Sequence, residues 1–495
     1  MTRRPAPRTL VPLTGLDGVF LDVETPATPM HVGSLHVFAP AARGAHDFHA
    51  LVSRMLAARL GVAPIFARRL APVPLNLAHP LWLDGGRVDL RYHVKRVRVP
   101  APGTRAELER CVATLHAKLM DRRKPLWQLF VLDGLADRRR AYYFKVHHAV
   151  LDGAAGAALA TALYDVAARP RRAPARRAPR TRRGAAPGAL AVAGAVLSHD
   201  AGQWVRLLRS VPDAARALAR VVGAAGPGLR RNFSFGPRTA LNATITPERS
   251  IAFLSLPLAD IKAIGTRHGA TVNDVVLALC SGTLRRYLAR HGGVPRKPLI
   301  ASMPISLREL GDSHFGTEAT LGLFSLATHL ADPVRRLRAV RAAAGTAKRL
   351  ARRARSLLPT DFPSVGLPWI AGGLASLYGR SHAADLVPPI ANVVISNVPG
   401  PRVPLYTVGA RMEEYWPVSI VEHGIGLNIT VLSYVDALGF GFTAASAAVP
   451  DARELARDLE AAFAELAAAT AARSARVPRA PRRSGTRPRT AGGHA

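Results

Sequence analysis

The 495-residue chain is long enough for two or more domains with well-filled cores. Its 68 Lys and Arg against 33 Asp and Glu give a formal net charge of +35, a balance that suits a nucleic-acid partner. The distribution speaks against that as the main function. Eight arginines lie in 169–183, seven in 471–495 and three in 1–10, without one acidic residue and amid Pro and Ala, a composition expected to be disordered.

No zinc-ligand spacing, nucleic-acid-binding module, P-loop or convincing dinucleotide fingerprint is visible, so neither a metal nor specific nucleic-acid binding is expected. Cys111 and Cys280 are far apart and imply no disulfide framework, which suits a reducing cytoplasm. The most apolar run, 188–197, is shorter than the ~18 residues of a spanning helix. Arg3 and Arg4 are not followed by an apolar segment, so no secretion signal is expected. Basic tails of this kind suit an anionic membrane surface, at about 1 kcal/mol per basic residue near it.

In chain order, 13–38 reads as a loop entering a strand that ends at Phe38, with His31 structural. Phe48 to Leu60 has helical spacing, 64–78 is broken by prolines, and 88–99 reads as a strand with His93 an ordinary surface or loop residue. Ala106 to Leu119 is an amphipathic helix stopped before Pro125. Trp127, expected in the core near the site, opens a strand over 128–132 that should pair with 141–147.

Tyr142-Tyr-Phe-Lys-Val-His147-His148-Ala-Val-Leu-Asp152-Gly153 is the centre of the chain. Aromatic and β-branched residues make a strand, which delivers two histidines, an aspartate and a glycine at its end, before a helix over 154–166. Strand ends that run into loops are where α/β folds place chemistry. An imidazole titrates near neutrality, so His148 can take a proton from a hydroxyl and return it to a leaving group. Asp152 is placed to hold the loop's shape, and Gly153 permits a close backbone approach. The plainer alternative is an ordinary strand end with Asp152 capping the next helix.

After the basic linker, Val192, Val196, Trp204, Leu207 and Leu208 recur at helical spacing over 191–222. This is a helix packed on the body or an amphipathic segment touching a membrane. A strand at 250–256 and helices at 258–268 and 271–288 follow, the last with Thr271 as N-cap and Asp274 near its positive end. Further strands are expected at 298–303 and at 393 onward, a helix at 332–354, a hairpin at 424–443 and a terminal helix at 451–469.

His147-His148-Ala-Val-Leu-Asp152-Gly153 matches the HHxxxDG motif of CoA-dependent acyltransferases and peptide-synthetase condensation domains. More narrowly, the chain resembles the bacterial wax ester synthase/diacylglycerol acyltransferases. The resemblance rests also on a Leu-x-x-Leu-Asp start at 13–17, Met30-His-Val-Gly33, Pro125-Leu-Trp127, Asn273-Asp274, Pro304-Ile-Ser-Leu-Arg308 and Ser396-Asn397-Val-Pro-Gly-Pro401. These occur in order across about 11–470. The family commonly has Glu where this chain has Gln128, Asn where it has Thr317, a Leu-Pro where it has Leu326-Ala327, and an acidic residue near Ala445.

The resemblance implies an α/β fold of two chloramphenicol-acetyltransferase-like sandwich domains with a tunnel between them. The expected organisation is a disordered basic N-terminus (1–10), a first acyltransferase domain (11–168), a disordered linker (169–187), a helical crossover (188–238), a second domain (239–470) and a disordered tail (471–495). It implies O-acyl transfer from acyl-CoA, a co-substrate rather than a cofactor, to diacylglycerol or a long-chain alcohol. His148 is then the general base, supported by His147 and Asp152. Gly153, Trp127, Asn273, Asp274, Arg308, Ser396 and Asn397 bind substrate or support the site, with Arg308 a partner for Asp152. The expected location is cytoplasmic, with peripheral contact to the inner membrane or lipid inclusions. A carrier-protein donor, or a non-catalytic lipid-binding relative, are the alternatives.

Overall fold

The computed structural model describes residues 10–40, 47–63, 66–84, 88–150, 159–169, 187–223, 235–306, 319–353 and 362–475. Among sequence expectations, Asp152, Gly153, Arg308, Thr317, most of the basic linker and nearly all of both terminal segments lie outside these residues.

A small sheet comprises β1 (Leu10–Pro12), β3 (Arg69–Ala71) and β4 (Leu81–Leu83), in the order β1-β4-β3. The first large sheet contains β2 (His31–Phe38), β5 (Val94–Arg98), β6 (Trp127–Asp133) and β7 (Arg140–His147), joined by β12 (Tyr406–Thr407) and β13 (Ala410–Val418) in the order β12-β13-β2-β7-β6-β5. The second contains β8 (Arg249–Pro257), β9 (Ile300–Ser306), β10 (Ala319–Ser325), β11 (Val393–Val398), β14 (Leu427–Tyr434) and β15 (Ala437–Ala445), in the order β10-β9-β11-β14-β15-β8. This two-sheet α/β architecture agrees with the fold that the sequence implied. Its joint is less obvious: a strand pair from the C-terminal half completes the first sheet, with β13 antiparallel to β2.

The helices are α1 (Gly15–Asp22), α2 (Phe48–Arg59), α3 (Leu90–His93), α4 (Arg105–Ala117), α5 (Ala189–Gly223), α6 (Leu258–His268), α7 (Val272–Arg290), α8 (Pro333–Arg353), α9 (Leu367–Arg380) and α10 (Arg453–Ala475). Among the described residues no helix is long and apolar enough to cross a membrane. α1 replaces the expected loop. Thr14 caps it, accepting from the Asp17 amide at 3.1 Å and donating to its carboxylate at 2.7 Å. Gly18 is required within it because a Cβ there would lie 2.0 Å from His79 Nδ1. The expected strand over 88–99 is shortened, because Asp89 caps the single turn α3 before β5 begins.

The largest core lies on the second sheet, between α7, α8 and α10 and strands such as β14 and β15. Full burial of a side chain of Leu or Phe size contributes roughly 1.5–3 kcal/mol. α5 settles one alternative in part: Val192 and Val196 pack on the small sheet, whereas Trp204 and Leu208 face outward. The halves meet through α4, whose Glu109 accepts from the Phe253 amide at 3.0 Å. They also meet where β15 lies on β13: a Cβ on Gly441 would stand 1.9 Å from the Pro417 carbonyl oxygen. Only glycine permits backbones this close.

Candidate active site

β7 ends at His147, and His148 begins one 3-10 turn, His148–Val150. Two backbone bonds fix this corner. The His147 amide donates to Leu126 O at 3.0 Å, beside Trp127, and the His148 amide donates to Met30 O at 2.9 Å. Antiparallel pairing sets His31 of β2 opposite His147.

The two histidines have opposite surroundings. His147 is buried, its Nδ1 accepts from the Ala149 amide at 3.1 Å, and its Nε2 lies 3.4 Å from Glu24 Oε1. The proton therefore sits on Nε2, on the side of the carboxylate but without a formed hydrogen bond to it. His148 is half-buried, and its imidazole stacks on Phe20 of α1 at 3.9 Å between ring centres. Its Nδ1 has no hydrogen-bond partner among the described residues. Burial, aided by the neighbouring His147, lowers the His148 pKa from 6.5 to about 4. The imidazole is thus neutral at physiological pH and free to accept a proton.

Glu24 organises the layer behind. Its carboxylate accepts from the Met30 amide at 3.0 Å and from Arg122 at 2.9 Å. Burial alone would raise its pKa, but His147, His31 and Arg122 outweigh burial and hold the carboxyl well below its ordinary range. His31 donates through Nε2 to His116 O at 2.6 Å, so it is structural, as the sequence suggested. Its pKa is lowered to about 4, chiefly by burial. Lys145 is buried and donates to Leu115 O at 2.8 Å and Lys118 O at 2.6 Å; burial takes its pKa down to about 7.

Trp127 is fully buried core, its indole donating to Phe66 O at 3.2 Å. His93 corrects the sequence reading: it is completely buried, stacked on Trp127 at 4.3 Å, and bonded to Trp127 O at 2.8 Å. A one-turn helix caused this difference by turning the ring inward.

The motif residues of the second half form a separate cluster. Asn397 at the end of β11 donates to Asn273 at the start of α7, at 3.2 Å, with Ser396 preceding it on the strand. Asp274 is spent on a capping box, accepting from the Thr271 amide at 2.9 Å and hydroxyl at 2.8 Å. Among the described contacts, none of Ser396, Asn273, Asp274 and Asn397 reaches His148. One departure from the family pattern has a local explanation, and a second can be placed. Ala327 has φ of +51°, which proline cannot adopt. Ala445 is fully buried in the large core of the second half, opposite Arg249 in the β15–β8 register.

Glu24 and Phe20 were missed in the sequence. Glu24 lies seven residues before His31, and no periodicity predicts that the intervening turn brings its carboxylate to His147.

Paired histidines at a strand end, in a fold built on two mixed sheets, suit an acyl-transfer enzyme, and comparison with known proteins agrees. The wax ester synthase/diacylglycerol acyltransferase catalytic domain matches residues 13–276, and the corresponding C-terminal domain matches 315–467. The chain belongs to this family and is an acyltransferase. A Mycobacterium tuberculosis protein bearing the name diacylglycerol O-acyltransferase is 35% identical over 466 residues, covering 92% of this chain and 89% of its own. The solved wax ester synthase/diacylglycerol acyltransferase of Marinobacter aquaeolei VT8 is 29% identical, with a TM-score of 0.66 over 93% of this chain and 100% of that one. The first condensation domain of the calcium-dependent antibiotic synthetase shares the fold at 16% identity, with a TM-score of 0.54 over 94% of this chain and 97% of that one.

Proposed function

We propose that the protein transfers a long-chain acyl group from acyl-CoA to the hydroxyl of diacylglycerol, with His148 as general base. The observation that carries this reading is the neutral His148 imidazole at the end of β7, held by Phe20 and the Met30 carbonyl. His148 removes the hydroxyl proton, and the alkoxide oxygen attacks the thioester carbonyl. The tetrahedral oxyanion collapses, the C–S bond breaks, and the imidazolium returns its proton to the CoA thiolate. Charge balances over the cycle, and no covalent acyl-enzyme, metal or resident cofactor is needed. Glu24, through His147, keeps the corner in one tautomer and places a negative charge near the transient imidazolium.

Diacylglycerol is favoured as acceptor by the names of the mycobacterial relatives; a long-chain alcohol is the second reading, supported by the name of the Marinobacter enzyme. An acceptor of either kind is dissolved in lipid, so the reading includes peripheral contact of a cytoplasmic enzyme with a membrane or lipid inclusion.

The test is CoA release from palmitoyl-CoA with dioleoylglycerol, with hexadecanol and without acceptor. Acceptor-dependent release that disappears in His148→Ala supports the proposal. Release that is absent from folded wild-type protein with both acceptors, or undiminished in His148→Ala, overturns it.

A further inference from the structure

α9 has the wrong face outward for a soluble helix. Its sequence, Leu367-Pro-Trp-Ile-Ala-Gly-Gly-Leu-Ala-Ser-Leu-Tyr-Gly-Arg380, has one charge, at the last residue, and no residue of it is buried. The exposed positions are 369, 370, 373, 374, 377, 378 and 380, so the pairs recur every four residues and define one stripe. That stripe carries Trp369, Ile370, Leu374 and Leu377. Leu75, 84% exposed, extends it, because the Trp369 indole donates to Leu75 O at 3.0 Å. The ring is held by its nitrogen and remains 56% exposed.

We propose that this stripe is the surface by which the enzyme seats on an anionic lipid layer. Three observations select lipid over other occupants. A second copy is disfavoured by charge, since each chain carries +35. The edge of the patch carries two arginines: Arg380 ends α9, and Arg238 lies near Tyr378 and donates to the Val387 and Ala384 carbonyls, neither having an acidic partner among the described residues, while the nearby Asp385 is bonded to the Thr244 amide and His382. An indole anchored by its N–H with its ring outward, amid aliphatic side chains and basic residues, matches the chemistry of the bilayer interface.

The location has a catalytic consequence. Trp369 and Pro368 form part of the wall of a cavity of about 520 Å³ whose other walls include Leu21, Glu24 and Arg122. Leu21 belongs to α1, the helix that sets Phe20 on His148, and Glu24 is the carboxylate behind His147. Seated on lipid through α9, the enzyme turns this cavity toward the layer that holds its acceptor. The inference rests on the reading that the acceptor is a lipid.

The experiment uses the full chain with Trp204→Phe, so that Trp369 is the exposed tryptophan of the described residues. Vesicles of phosphatidylcholine and phosphatidylglycerol, with dibrominated acyl chains, are added. The proposal expects quenching of Trp369, and about tenfold or more weaker partitioning for Ile370→Glu/Leu374→Glu. Acylation of vesicle-borne dioleoylglycerol falls with it, while CoA release from a short-chain acyl-CoA with a water-soluble alcohol is unchanged. Binding without quenching, partitioning unaffected by the double substitution, or a wild-type dimer in gel filtration that the substitution dissolves would each overturn it. Quenching is read without turnover, so vesicle binding by a protein that acylates no acceptor would sink the proposed reaction and leave the docking surface standing.

Discussion

His147 Nε2 lies 3.4 Å from Glu24 Oε1 while its Nδ1 accepts from the Ala149 amide, so the amide sets the tautomer and the carboxylate faces the protonated side of the ring. Glu24→Gln keeps the shape and removes the charge. We expect kcat to fall about tenfold or more with KM little changed, and stability to drop by about 1–3 kcal/mol. Steady-state CoA release and urea unfolding read the two separately. An unchanged kcat would leave Glu24 a purely structural carboxylate.

Phe20 covers the His148 ring and contributes to its burial. Phe20→Ala should let the His148 pKa rise from about 4 toward 6.5. The acidic limb of the kcat/KM profile, set by the neutral base, then moves to higher pH. A limb that stays in place would separate the stacking from the titration.

Stability should decline in mild acid. His31, His36, His93 and His148 all have folded pKa values lowered by burial, to between about 3 and about 4, from 6.5. Between pH 6.5 and 4 the unfolded chain binds protons on these rings that the folded chain does not, so stability is full above 6.5 and falls as pH drops. Glu109, raised to about 7 by burial, works in the opposite direction over part of that range. Urea midpoints from pH 7.5 to 4.5 would show the net effect, and a rise on acidification would contradict the histidine ledger.

Asp274→Ala removes one arm of the capping box that Thr271 begins and should cost about 1 kcal/mol. Asn273→Ala instead breaks the bond to Asn397. If the family's Asn-Asp motif serves the site through its asparagine, Asn273→Ala changes kcat or KM and Asp274→Ala changes chiefly the unfolding midpoint. Equal kinetic losses would refute that division.

The sequence was most informative where spacing and chemistry coincide. α6 follows its apolar period over the expected 258–268, and β7 carries its histidines to the predicted corner. Trp127 and His31 take the structural roles expected of them. What escaped notice depends on contacts between distant segments. The stretch around Gly18 read as a loop, although the glycine is there to pass His79, and His93 looked like a surface residue until a capped turn places it on Trp127. Glu24 belongs to no motif, and its role exists only after β2 and β7 pair. α9 has one charged residue, at its end, so no charged face marks it in the sequence as a surface helix.

The strand pair β12–β13 has a practical consequence for recombining relatives. Cutting between the apparent domains would strip β2 of its neighbour and leave a bare edge on the first sheet, prone to pairing with other chains. β13 would leave with β15, because Gly439 and Gly441 sit against the Tyr415 and Pro417 carbonyls. A chimera that borrows another family member's second half to change acceptor preference therefore inherits part of the first sheet as well. Its parents must be matched across β2–β13, or the exchange carried as two segments with 406–418 retained from the first parent.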